Sequence, residues 1–336
     1  MSVFLTTPYR LIPFFCIFIS GAASLVYELI WIRQLSLVFG GTLYAISAVL
    51  CAFMTGLALG AWGIGLLLSH RNKQKKTVNL VLLYGLIEGL IGLYGLFFPY
   101  GLELISGFYA PIVNGTIELG FLLHWVEFFL STALMLPATI CMGATLPLIG
   151  SWSIGKNSER ILSDVSILYS LNTFGAVAGC LYTQTIALKY FGVSATNLTA
   201  IGMNFFVFLL CTPLRSYFIK SPSSKTPVIK HKINRVRSST PDRKFSLLLI
   251  FIFAYSGMAA LASEILWTRV LVFPMGTTLN SFALILATFL FGIALGSIMA
   301  DKLLGNSNHV LKFLLIQLSI AVLCIAILPL FENLHE

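Results

Sequence analysis

Nine stretches of this sequence are long and apolar enough to cross a bilayer as helices. A hydrocarbon core about 30 Å thick needs roughly 20 apolar residues. The segments 11–33, 42–69, 77–98, 119–152, 161–191, 195–214, 245–272, 277–301 and 311–331 meet that length. Several exceed the minimum, which predicts tilt, kinks or extension into the interface. Pro137 and Pro147 fall inside the fourth and predict a kink there. Residues 99–118 mix aromatic, glycine and polar positions and read as a connector with a short interfacial helix.

Composition closes off the alternatives. The chain is 58% hydrophobic and 10% charged, against roughly 45–50% apolar and about 25% charged in a soluble domain. So few charges could not cover so much apolar surface in water. A soluble globular enzyme, a disordered chain and a secreted disulfide scaffold are excluded, and the expected class is an all-α polytopic membrane protein. The net charge of +9 does not imply nucleic acid, because the basic residues lie in short loops between apolar segments. The cysteines at 16, 51, 141, 180, 211 and 324 all sit inside apolar stretches, with no CxxC or Cys/His cluster. No disulfide, metal site or cofactor is expected. Arg10 precedes an apolar run longer than that of a signal peptide, so the first run is expected to stay as a helix.

Basic residues set the expected orientation. With the N-terminus in the cytoplasm, 18 of the 21 Lys and Arg residues face inward, and Arg33, Lys189 and Arg269 fall at the outer side. The last helix then ends outside, in a bacterial-type inner membrane. Residues 215–244 hold nine basic residues, one acidic residue (Asp242) and several Ser/Pro clusters. They read as a flexible cytoplasmic linker near anionic lipid. It separates a unit of six spans (1–214) from one of three (245–336).

The two units share an internal repeat. Residues 20–60 align without gaps to 256–296, with 17 of 41 positions identical. The matches include Ser20/Ser256, Gly21/Gly257, Glu28/Glu264, Trp31/Trp267, Arg33/Arg269, Gly56/Gly292 and Gly60/Gly296. Apolar drift would match Leu and Ala, not Glu, Trp, Arg and glycines in register. With one gap, Glu88 aligns with Gln317. Both copies start with an inward-to-outward helix, so the repeat is parallel, with its axis along the membrane normal. The halves of a major facilitator fold are related in this way. A complete second half needs six helices, and three are visible.

These residues also resemble a known family. The Glu-x-x-Trp-x-Arg core of 20–60, together with Pro137–Pro147 (PATICMGATLP) and Tyr169–Gly179 (YSLNTFGAVAG), looks like the membrane part of the fused major-facilitator/spermidine-synthase proteins. The resemblance covers most of 10–190 and restarts at 245. It implies a transporter-like, MFS-like helical fold. It also implies an aminopropyltransferase-like soluble domain after the helices, but the longest polar stretch here, the 30-residue linker, is too short for a Rossmann-like unit. No catalytic residue is expected in this chain. Ala300-Asp301-Lys302 resembles a fragment of the facilitator loop motif, and the Gly-Arg-Arg that should follow is absent.

Ionisable groups inside a membrane cost about 2.5–3.5 kcal/mol each on insertion scales, so they are functional candidates. Glu28, Glu88 and Glu264 are the candidates for a substrate or proton. Glu28 and Arg33 stand about 7.5 Å apart along a helix and about 140° apart around it. They therefore do not pair within one helix, and crossed pairs Glu28–Arg269 and Glu264–Arg33 would latch the two units. Alternatively each Arg snorkels and each Glu caps a local backbone break. Glu88 reads either as a neutral hydrogen-bonding group between helices or as a proton or cation carrier. His124 and Glu127, three residues apart, predict a local hydrogen bond. Gly56, Gly60, Gly292 and Gly296 predict close helix packing, and Asn172 and Thr173 a polar interhelical contact.

Three functions follow from this reading. The first is a transporter-like protein moving a small cationic, amine-like solute. The second is a membrane scaffold or anchor for a separately encoded aminopropyltransferase-like enzyme. The third is a shortened, inactive family member. Expected partners are the lipid bilayer and either such a soluble protein or the missing helices, with no nucleic acid.

Overall fold

A computed structural model describes residues 11–40, 43–73, 79–115, 120–153, 161–220, 243–275, 279–304 and 309–332. They form nine long helical segments, and no strand occurs among them. The first unit holds α1 (Ile12–Phe39), α2 (Leu43–Lys73), α3 (Leu80–Gly115) and α4 (Gly120–Ser153). Next comes α5, which runs Ile161–Tyr182, passes through a π-helical turn at Thr183–Ala187 and ends with Leu188–Tyr190. The unit closes with α6 (Gly192–Lys220). The second unit holds α7 (Arg243–Met275), α8 (Leu279–Leu304) and α9 (His309–Glu332). Eight of these helices carry apolar stretches long enough to cross a membrane, and α8 has a shorter described one, Ala283–Met299. The protein is an all-helical, multi-pass membrane protein. Residues 221–242, most of the expected linker, lie outside the described residues.

Two expected boundaries are corrected. The connector at 99–118 is not a separate interfacial helix, because α3 continues as one helix to Gly115, through Pro99 and Pro111. Its packing face continues too. Phe98, Ile105 and Tyr109 are buried at helical spacing in the same core as α1 and α4. Each proline removes one backbone hydrogen bond, a loss that neighbouring helices can offset in a membrane. Likewise α1 does not stop near residue 33. Leu35 and Phe39 are buried, and the helix ends at Gly40, whose φ of 94° supplies a left-handed cap. The cap N–H donates to the Ser36 carbonyl.

Within the first unit, α2 packs most extensively on α4, α1 on α5, and α3 on α6. Glycine explains how closely the first two pairs approach. A Cβ added to Gly60 would strike the Ile140 carbonyl, and one on Gly143 the Leu57 carbonyl. Across the other interface, Gly21 lies against the Asn172 carbonyl, Gly175 against that of Phe18 and Gly179 against that of Ala22. Only residues without a side chain let backbones meet this closely. An aromatic cluster fills the space between α1 and α3, where Trp31 stacks on Phe98 with ring centroids 4.3 Å apart. Tyr27 and Tyr94 flank it.

The second unit joins the first mainly through α8 against α5. Leu29, Cys180, Ala283, Leu286 and Ala287 form the core of this junction. The Cys180 thiol donates to the Ala283 carbonyl at 3.2 Å. In the second unit, α7 packs on α8. It also meets α9 where Phe253 stacks on Phe313 and where Gln317 Nε2 donates to Ser256 Oγ at 2.8 Å.

Candidate functional site

The sequence candidates separate into two places. The first lies at the junction of the units. Glu28 is buried on α1, with Cys180 of α5 in its electrostatic neighbourhood. Glu264, its repeat counterpart, is half-buried on α7. The two carboxyls lie within electrostatic range of one another. Crossed Glu28–Arg269 and Glu264–Arg33 pairs and local backbone capping are the two sequence readings of these glutamates. Arg33 is half-buried on α1, and the side chain of Arg269 lies outside the described residues, so the crossed Glu/Arg pairs are not placed.

The second place is enclosed within the first unit. Glu88 on α3 is completely buried. Asn204 Nδ2 on α6 donates to its Oε2 at 2.6 Å. The hydroxyls of Ser20 on α1 and Tyr84 on α3 face the same carboxyl. Further polar atoms continue this seam between α1, α3 and α6. Asn197 Nδ2 donates to the Gly95 carbonyl at 2.9 Å. Among the described residues, Tyr27 Oη and Trp31 Nε1 are buried without a hydrogen-bond partner. A buried seam with unmatched polar atoms is the setting in which internal water is usually found. Asn204 and Ser20 were not singled out as partners of Glu88. The contact with Asn204 spans 116 residues of chain, and nothing local in the sequence signals it. The alignment of Glu88 with Gln317 was the available clue. Ser20 faces Glu88 as its counterpart Ser256 bonds Gln317.

Glu88→Gln is therefore expected to be tolerated, since an amide can accept from Asn204 and donate to a hydroxyl. Glu88→Leu leaves the Asn204 amide without its partner, at about 1–3 kcal/mol for the stranded group. In detergent, thermal unfolding of the Gln variant should stay within a few degrees of wild type, while the Leu variant falls clearly below both. Equal loss in both variants would show that the charge itself is needed.

Two other features are local. Glu127 is buried on α4 and accepts from Tyr109 Oη at 2.8 Å, with His124 Nδ1 at a long 3.5 Å from its other oxygen. The expected local contact is thus secondary to one with α3. Thr173 Oγ1 donates within its own helix to the Tyr169 carbonyl at 2.9 Å, whereas Asn172 meets Gly21 across the α1–α5 interface.

A cleft of about 700 Å³ opens between α4, α5 and α8, lined by Pro147, Ser151, Ser166, Leu168, Tyr169 and Ser297. Ser297 Oγ reaches the Ser166 carbonyl at 3.3 Å and bridges the two units there. This cleft and the Glu28–Glu264 pair both lie on the inter-unit junction, whereas Glu88 does not. Neither a family model, a curated protein nor a solved structure matches the chain.

Proposed function

We propose that this protein is a transporter-like component of a bacterial-type inner membrane, moving a small cationic, amine-like solute between its two units. The burial of Glu28 beside the α1–α5–α8 junction, with its repeat counterpart Glu264 half-buried on α7, carries the reading. Two like charges at a water-poor interface repel one another strongly. A proton or a bound ammonium group relieves that repulsion, and two repeat-related carboxyls near the junction suit a cation held between the units. Intramembrane ionisable groups facing a bundle interior mark solute or proton pathways.

The packing supports an MFS-like organisation. Exchanging α1 with α4, α2 with α5 and α3 with α6 turns the α1–α5 pair into the α2–α4 pair and leaves α3–α6 unchanged. The observed partners obey that exchange, as nested three-helix inverted repeats require. The parallel repeat is supported by the Ser20–Glu88 and Ser256–Gln317 contacts, which occupy matching positions. On this reading the chain resembles the membrane part of the fused facilitator/spermidine-synthase proteins and performs no covalent chemistry of its own. The alternative is a membrane scaffold for a separately encoded aminopropyltransferase-like enzyme. It draws on α7 and α9, whose apolar windows are unburied among the described residues.

Proteoliposome flux tests the transport reading, with wild-type protein and a panel of mono- and polyamines. Amine-dependent, saturable uptake is expected. Intact protein that moves none of them would shift the weight to the scaffold. The orientation has its own check. On a cysteine-free background, Ser224→Cys in the basic linker should react with impermeant maleimide only after the cells are opened. Labelling from outside intact cells would invert the topology.

A further inference from the structure

Glu88 is a buried acid that the junction carboxyls do not involve. Its side chain is completely buried, and Asn204 is 2% exposed. One bond joins the two, from Asn204 Nδ2 to Glu88 Oε2 at 2.6 Å. The remaining oxygens of that carboxyl and amide, Glu88 Oε1 and Asn204 Oδ1, flank this bond. Among the described residues, both are buried without a hydrogen-bond partner. Both are pure acceptors while the carboxyl is ionised, so neither can satisfy the other. A proton on Oε1 changes that count, because one O–H makes Oε1 a donor and gives Oδ1 a partner.

The surroundings supply no other positive charge. The titratable groups whose charges act on Glu88 are Cys16 and Tyr27 on α1, Tyr84 on α3 and Cys141 on α4. On α6, Cys211 lies against Cys16. Thiols and phenols keep their protons near neutral pH, and no basic side chain among the described residues acts on the carboxyl. An unpaired charge in such a place is expensive. The repeat shows a neutral group in the equivalent place. Gln317, the counterpart of Glu88, donates from Nε2 to Ser256 Oγ at 2.8 Å, and Ser20, the counterpart of Ser256, faces Glu88. A protonated carboxyl, like that amide, is neutral and presents one donor beside one acceptor.

We propose that Glu88 is a proton-binding site, in which the proton sits on Oε1, is donated to Asn204 Oδ1 and closes a two-bond acid–amide pair between α3 and α6. With the proton, the pair is neutral and both bonds are made. Without it, one bond is lost and a bare charge stands in the α1–α3–α6 seam, so the proton locks the packing of those helices. The proposal concerns the first unit alone and does not rest on transport.

Infrared spectra of the whole chain in detergent at about pH 7 test it, wild type against Glu88→Gln. The difference spectrum is expected to show the carbonyl stretch of a protonated carboxyl, absent from the variant. Ionised-carboxylate bands in its place would overturn the proposal. Equilibrium unfolding of the same two proteins gives a second readout. The unfolded chain ionises this carboxyl over the ordinary carboxylate range, while the native chain keeps the proton. The unfolding constant of wild type relative to the variant should therefore rise between about pH 5 and pH 7, by up to about tenfold per pH unit. A ratio that stays flat with pH would overturn the proposal. So would one that follows Na+ concentration instead, by putting a metal cation between the two oxygens. Should the Gln variant fail to fold, Asn204→Ala takes its place in the infrared comparison. There the protonated carboxyl loses its acceptor, and its band should move to higher frequency. An unmoved band would overturn the proposal.

Discussion

Gly60→Ala is expected to destabilise this protein, while Gly63→Ala, less than one turn further along the same helix, leaves it as stable or slightly more so. The added methyl at Gly60 would stand on the backbone of Ile140 in the most extensive helix pair of the first unit. Neither backbone can step aside without separating α2 from α4, so the cost is that of overpacking, about 1–3 kcal/mol or more. At Gly63 nothing among the described residues lies within 4 Å of the new atom, and alanine gains up to about 1 kcal/mol over glycine in a helix interior. Gly60→Leu should abolish monodisperse protein in detergent altogether. The repeat gives an internal control, since Gly296→Ala alters the counterpart residue at a face with no described neighbour. The readout is thermal unfolding followed by size-exclusion chromatography. Equal behaviour of Gly60→Ala and Gly63→Ala would mean that the α2–α4 approach is looser than the structure has it.

That contrast also marks where the sequence stops being informative. Gly56 and Gly60 have the same spacing as Gly292 and Gly296, yet one pair is sealed by α4 and the other has no close neighbour among the described residues. Local pattern encodes the capacity for close packing, and the partner is supplied elsewhere. The spans were legible because every apolar run must be helical in lipid, with backbone groups satisfied internally. The extension of α3 was obscured by Pro99, Pro111 and a polar, aromatic composition. Phe98, Ile105 and Tyr109 nevertheless kept the seven- and four-residue spacing that a helix face demands. Glu28 and Glu264 were recognisable as equivalents. Where each stands relative to the junction depends on how two units dock, which no window of sequence contains. The partner of Glu88 was hidden for the same reason, whereas the Gln at the equivalent position already hinted that a neutral group serves there.

The junction carboxyls should dominate any transport. In the flux assay, Glu28→Gln is expected to lower uptake of a cationic amine by roughly 10- to 150-fold, because one charge-assisted hydrogen bond to an ammonium contributes about 1.5–3 kcal/mol. Glu264→Gln should fall in the same range or somewhat below it, since Glu264 is half-buried where Glu28 is buried and water screens it more. The double variant should lose less uptake than the product of the two single losses, because the carboxyls act as one site. Glu88→Gln serves as the comparator, with uptake expected within about twofold of wild type, because its carboxyl faces Asn204 and Ser20 inside the first unit rather than the junction. Stability should separate structural from functional roles. Relieving the repulsion between Glu28 and Glu264 should leave each single Gln variant as stable as wild type or more so, even as uptake collapses. A Gln variant that both unfolds early and loses uptake would instead assign these glutamates to holding the units together. If Glu88→Gln lost uptake while the junction variants kept it, the solute path would run through the α1–α3–α6 seam, where Tyr27 Oη and Trp31 Nε1 have no partner among the described residues.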